Sequence, residues 1–257
     1  MKEVQILPFI REFIKNLTIS ISGEHADFHI TRTQKLWLSF CLTGILLTNT
    51  VCWARFERAS FGGWLEPALS WMFRSSKLDW SKLLKGSINV LLKKYGIEEG
   101  SLELDDTERE RSKNAKQIYG LGKQKDKKSG GFFNGQSILV LLLVTKKISI
   151  PVGFEFYRMD PVLRAWRKKD NELKRKGVKK KNRPEEPVRD TAYPTKNEIG
   201  LGLVNSFKSD FGQIKIKAVK ADALFGTAEF VDGVAKLFPD NQVISQIRNN
   251  QKVLING

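Results

Sequence analysis

The sequence predicts a mixed α/β protein in two parts. A helical segment occupies 1–99, and a mixed five-stranded sheet with helices on its faces occupies 100–257. Three observations carry this expectation. Apolar residues recur at helical spacing up to residue 97, short continuous apolar runs take over after Gly100, and two well-capped helical stretches interrupt those runs. The 257 residues are 41% hydrophobic and 28% charged, which can fill a real core and excludes wholesale disorder.

Leu78, Leu83, Leu84, Val90, Leu91 and Leu92 lie on roughly helical spacing, and Tyr95-Gly96 and Gly100 punctuate the end of the helical part. Within it, Leu36–Ala54 is nineteen uncharged residues flanked by Arg32, Lys35, Arg55 and Arg58, just long enough to cross a bilayer. Ser39, Thr43, Gly44, Thr48, Asn49 and Thr50 dilute it, so a buried helix is the expected outcome. No membrane association and no signal peptide are expected, and the protein reads as cytoplasmic. Cys41 and Cys52 lack the paired spacing of a zinc ribbon or a thioredoxin site. His25 and His29 are four apart, so a mixed His/Cys metal site can be drawn, but two reduced thiols are the better reading.

In the second part, SLELDD (101–106) reads as the first strand. GQSILVLLLVTKK (135–147) is a continuous apolar run, as expected of a strand covered on both faces. ISIPVGFEFY (148–157) should pair with it, Pro151 marking an edge or a bulge. A basic insertion over 160–193 follows, compatible with a helix and then a loop. Thr195 and Glu198 form a capping box, after which Ile199, Leu203, Phe207 and Phe211 repeat along one helix face. IKIKAVKAD (214–222) is the fourth strand. Thr227 caps a helix whose stripe of Phe230, Val231, Val234, Leu237 and Phe238 stops at Pro239, and QVISQI (242–247) is the fifth strand. Three meandering strands followed by βα units match the order of a ribonuclease-H-like core.

Charge is concentrated. The formal net charge is +16, and windows 109–128 and 164–183 together hold +15 of it. Either run alone could be a solvated loop, but two of them beside an apolar core favour a polyanion. Two acids stand out in that core. Asp106 is expected to close the first strand and Asp222 the fourth, and these strands are neighbours in a ribonuclease-H-like sheet. Carboxylates there could hold Mg²⁺ for phosphodiester chemistry, although a strand-end Asp more often caps a turn. Asp105 competes with Asp106 for the role.

The segments LDDTERERSKNAKQIYGLGKQKDKKSGG, SILVLLLVTKKISIPVGFEFYRMDP and VKADALFGTAEFV resemble the catalytic-core segments of bacterial insertion-sequence transposases. These are of the DDE type, in the large group named for insertion sequence four. The resemblance covers roughly 100–250. It implies catalytic, metal-binding roles for Asp106, which precedes Thr107, and for Asp222 in its small-Asp-small motif. It also implies Mg²⁺, with Mn²⁺ as substitute, and cleavage of element ends followed by their transfer to target DNA. A homodimer in a synaptic complex is the assembly it would imply.

The chain departs from that pattern at the third acid, a Glu on a helix after the last core strand, accompanied by Tyr, Arg and Lys. Only 35 residues follow Asp222, and Glu229 is their sole Glu. The chain therefore reads as an incomplete core, expected to bind DNA without cutting it. A catalytically dead remnant that occupies element ends is the alternative, and a ribonuclease-H-like nuclease is a second. Arg109, Arg111, Lys113, Lys123, Lys125, Lys127 and Lys128 are expected to grip phosphates near the scissile bond. Arg167, Lys168, Lys169, Lys174, Arg175, Lys176, Lys179, Lys180 and Lys181 are expected to hold flanking duplex. The helical part is expected to read the element ends, although no helix-turn-helix signature stands out there.

Overall fold

The computed structural model describes residues 6–24, 27–60, 63–126 and 129–246. The chain divides into two compact units, Met1–Ile97 and Glu98–Gly257. The first is helical: α1 (Pro8–Glu24), α2 (Arg32–Thr48), α3 (Trp53–Ala59), α4 (Glu66–Ser75) and α5 (Trp80–Tyr95). α1 turns Ile10, Ile14, Leu17 and Ile21 inward, one residue per turn or nearly so, which is the helical period at work. Trp37 anchors the core, and its Nε1–H donates to the Leu69 carbonyl at 3.2 Å. Gly96, at φ 54, closes α5 in the left-handed conformation that glycine adopts without strain.

The apolar stretch 36–54 is not one helix. Asn49 takes the left-handed conformation at φ 49 and ends α2, and α3 leaves at 88° to it. The cluster Thr48-Asn49-Thr50 that dilutes the stretch supplies this break, since Asn tolerates that conformation better than branched residues do. No single helix among the described residues is long and apolar enough to cross a membrane. Cys41 is buried, which pushes its thiol up to about 12, and Cys52 is exposed. His29 lies outside any helix, and His25 lies outside the described residues.

The second unit is a mixed α/β structure on a six-stranded sheet. Its elements are β1 (Glu99–Glu110), β2 (Leu121–Lys125), β3 (Phe132–Val144), β4 (Ser149–Tyr157), α6 (Pro161–Arg175), α7 (Lys196–Asp210), β5 (Lys215–Ala221), α8 (Ala228–Leu237) and β6 (Gln242–Ser245). β1 runs antiparallel to β3 and parallel to β5, and β5 runs parallel to β6. The far edge of β3 is shared, by β2 along 132–136 and by β4 along 137–144. The expected first and fourth strands, β1 and β5, are thus neighbours. Between Leu141 and Leu142 the β3–β4 register shifts, with Gly153 and Pro151 as partners, so Val152 is the extra residue of a bulge beside the proline.

Three expectations are corrected. The sheet has six strands rather than five, because Leu121–Lys125 pairs with β3 despite lacking apolar alternation. β1 does not close at Asp106 but runs on to Glu110, its polar end held by antiparallel pairing as far as Gly135. β3 is not covered on both faces. Leu139, Leu141 and Leu143 are fully buried, whereas Ile138, Val140, Leu142 and Val144 are only half-buried. Alternate side chains of a strand face opposite ways, and α7 covers one side.

α7 seats closely on that side. A Cβ on Gly200 would lie 2.6 Å from Leu104 Cδ2 and 3.2 Å from the rings of Phe225 and Phe230. Those two rings are themselves wholly buried, 5.2 Å apart between centroids. The expected capping box of Thr195 and Glu198 starts the helix. Thr227 caps α8 by accepting from the Phe230 N–H, and its hydroxyl is bonded by the Asn197 side chain at 3.0 Å.

Gly200→Val should therefore lower stability by about 1–3 kcal/mol through overpacking. Gly202→Ala, where a Cβ meets nothing within 4 Å, should be neutral or raise it by up to about 1 kcal/mol through helix propensity. Denaturant unfolding of both variants checks this, and equal losses would mean that α7 does not approach β1 at Gly200.

Candidate functional site

Asp106 lies within β1, opposite Leu139, on the face that α7 covers. Leu104 and Leu102 point the same way by strand alternation, so the carboxylate is the polar continuation of an apolar row. Its side chain is 12% exposed. Ser137 Oγ donates to Oδ1 at 2.8 Å, and the Lys196 ammonium pairs with Oδ2. Lys196 is the first residue of α7, so the tight seat of that helix delivers its charge to β1. The same ammonium lies 5.2 Å from the centroid of Tyr157.

Asp105 alternates to the opposite, exposed face, where its Oδ1 accepts from the Asp106 N–H at 2.8 Å. The two acids are thereby separated: Asp106 belongs to the α7 side, and Asp105 does not. Asp222 follows the last residue of β5. Leu104 pairs with Ala221, so Asp106 and Asp222 stand two and one residues beyond that pair on adjacent parallel strands. Asp222 is exposed, accepts from the Leu224 N–H at 2.8 Å and caps the short 3-10 turn Ala223–Phe225. Glu229 is exposed in the first turn of α8.

Two carboxylates, one within β1 and one just past the end of its parallel neighbour β5, offer the hard oxygen donors that Mg²⁺ prefers. They do not make a complete metal centre. Among the described residues no group of three His, Cys, Asp or Glu is placed to hold an ion, and the Lys196 ammonium already neutralises Asp106.

The basic windows fold into two features. In the first, β1 leads through residues 111–120 into β2. Arg111 is half-buried, with its Nε donating to Gln136 Oε1 at 2.7 Å, and the Gln136 amide donates to the Tyr119 carbonyl at 2.6 Å. Arg111 thus braces the crossing. Arg109, Lys113, Lys123 and Lys125 are exposed, with the Lys123 ammonium 4.4 Å above the Phe132 ring. Lys127 and Lys128 lie outside the described residues.

The second feature is α6 with its return. Asp160 caps α6 through the N–H groups of Val162 and Leu163 and also accepts from the Asp190 N–H at 2.9 Å, pinning both ends of the insertion together. The Asp190 N–H, with those of Val162 and Leu163, holds the Asp160 carboxyl below its usual range. Arg183 donates twice to Asp170, at 2.8 and 2.9 Å, and Trp166 Nε1–H donates to the Pro184 carbonyl. So braced, α6 buries only Leu163. Arg167, Lys168, Lys169, Lys174 and Arg175 on the helix are exposed, as are Lys176, Lys179, Lys180 and Lys181 beyond it. Further on, Arg189 pairs with Glu198 at 2.7 Å, which holds that carboxyl below its usual range.

Sequence reasoning missed Lys196, Ser137, Asp160 and Gln136. Lys196 carried no signal because its partner is ninety residues away. Asp160 was findable, since Asp-Pro before an apolar-periodic run is a helix start. In comparisons with known proteins, no family model matches this chain and no curated protein does.

Lys196→Met should cost about 1–3 kcal/mol, since it leaves the mostly buried Asp106 carboxylate without its counter-charge. Asp106→Asn in that background should cost less than it does alone, giving a coupling of about 1 kcal/mol in a double-mutant cycle. Additivity within about 0.5 kcal/mol would show that the pair does not form in solution.

Proposed function

We propose that this protein acts on DNA as a transposase-type protein. In this reading it holds duplex through α6 and the β2 region and presents Asp106 and Asp222 to the phosphodiester backbone. The supporting observation is the placement of unneutralised charge. Eleven Lys and Arg lie within 164–183, and among the described residues only Arg183 of these is paired with an acid. A helix that buries one residue and carries that charge has no core to serve, whereas it suits a row of phosphates. The neighbouring positions of Asp106 and Asp222 support the ribonuclease-H-like reading of the sheet.

The helical unit offers a second contact. A cleft of about 710 Å³ between its helices is lined by Arg11, Lys15, Arg32 and Lys35 over an apolar floor, consistent with a role at element ends. This reading places the protein in the bacterial cytoplasm, working as a homodimer when two ends are joined. Cleavage with Mg²⁺ or Mn²⁺ would need a further ligand beside Asp106 and Asp222. The ammonium on Asp106 and the lack of a third donor among the described residues favour a second reading, a protein that occupies DNA ends without cutting them.

With about eight phosphates neutralised, the logarithm of the affinity for a labelled duplex should fall against log salt with a slope of roughly −7. Changing Arg167, Lys168, Lys169, Lys174, Arg175 and Lys176 together to Gln should flatten that slope markedly. Binding indifferent to salt would contradict the proposal. Nicking assays with Mg²⁺ or Mn²⁺ separate its two forms. Metal-dependent cleavage lost in Asp106→Asn and Asp222→Asn, with binding retained, supports the enzyme; binding without cleavage supports the occupying protein.

A further inference from the structure

Beside the Asp106 pair lies a cavity of about 960 Å³ with an unusual lining. It holds five cations, Lys116, Lys123, Arg158, Arg164 and Lys168, and no acid. Among the described residues none of the five is paired with a carboxylate. Arg158 is held instead by rings, its guanidinium 4.9 Å from the centroid of Tyr119 and 5.2 Å from that of Tyr193. The arrangement fixes the side chain and leaves its charge unspent. Phe132 lines the groove and is 61% exposed, and Tyr119, between the lining residues Ile118 and Gly120, is 56% exposed. Large rings in that position lose contact with water only if a ligand covers them.

We infer that this groove takes an unpaired stretch of a DNA strand, its phosphates on the cations and its bases stacked on the exposed rings. The inference rests on the DNA reading above and makes it more specific. A duplex offers phosphates to such a lining but hides the faces of its bases, so the ring faces not already under Lys123 and Arg158 would stay uncovered. An unpaired strand uses both chemistries, and stacking on aromatic side chains is worth about 1–3 kcal/mol per base. The volume suits a few nucleotides rather than a duplex.

The position of the groove adds an independent argument. Tyr157 lines it, and Tyr157 also carries the Lys196 ammonium that pairs with Asp106. A strand lying in the groove therefore runs against a ring that also faces the ammonium on Asp106. That is where a strand separated from its partner would be held beside a site acting on its backbone.

The test is fluorescence anisotropy on the full chain with three labelled probes of one sequence: a 12-nucleotide single-stranded DNA, the matching RNA, and the 12-base-pair DNA duplex. Phe132→Ala should weaken single-stranded DNA binding about tenfold and leave duplex binding within twofold, and Phe132→Trp should restore it. Tyr119→Ala should act in the same direction. Because Tyr119 also packs edge-on against Phe156 at 5.8 Å, its melting temperature is measured alongside. Unchanged single-strand binding in Phe132→Ala, an equal loss on duplex, or tighter binding of RNA would overturn the assignment. Loss of duplex binding when Arg167, Lys169, Lys174, Arg175 and Lys176 are changed to Gln and the groove's Lys168 is kept, with single-strand binding intact, would confirm a separate groove. Failure of the unaltered protein to bind any DNA would overturn the groove and the broader reading together, whereas duplex binding alone would overturn only the groove.

Discussion

β1 is the strand on which the Asp106 pair depends, because both of its edges are paired at once. Antiparallel bonding to β3 holds it over ten residues, while parallel bonding to β5 stops at Leu104 and Ala221. Asp106 lies just past that stop, where one neighbour has ended and the other continues. A carboxylate in the middle of a fully paired sheet would be sealed under α7, and one at a free strand end would be wet. At this half-open point it is 12% exposed and still finds a hydroxyl and an ammonium.

The close approach of α7 follows from the same strand. Gly200 lets the helix backbone settle against Leu104, and the capping box fixes where the helix begins. The helix start then brings Lys196 to Asp106. Arg189 reinforces this end by pairing with Glu198, itself part of the capping box. A single packing contact, a cap and an ion pair thus depend on one another, and the basic insertion enters the same region where Asp160 accepts from Asp190. The groove and the α6 arm are outward extensions of that arrangement.

How far this was legible in the sequence depended on range. The α7 capping box, the Thr227 cap and the bulge at Pro151 are local rules, and each is present. The parallel neighbours β1 and β5 were legible through strand order. β2 was not, because Leu-Gly-Lys-Gln-Lys has no alternation and takes its strand form from β3. The polar end of β1 is a strand for the same reason. The α2–α3 break turned on the left-handed Asn49 inside an otherwise apolar run. Asp105 and Asp106 could be told apart only once the register against β3 placed them on opposite faces. Lys196 and the ring-held Arg158 required contacts between segments far apart in the chain.

The central proposal is that α6 and the β2 region, and not basic residues at large, carry DNA. Lysine-reactivity footprinting by mass spectrometry, with and without a duplex of arbitrary sequence, tests it most directly. The account predicts that Lys123, Lys168, Lys169, Lys174, Lys176 and Lys179 to Lys181 lose reactivity when duplex is added, while Lys93 and Lys94 of α5 keep theirs. Protection spread evenly over all exposed lysines, or confined to the helical unit, would contradict it.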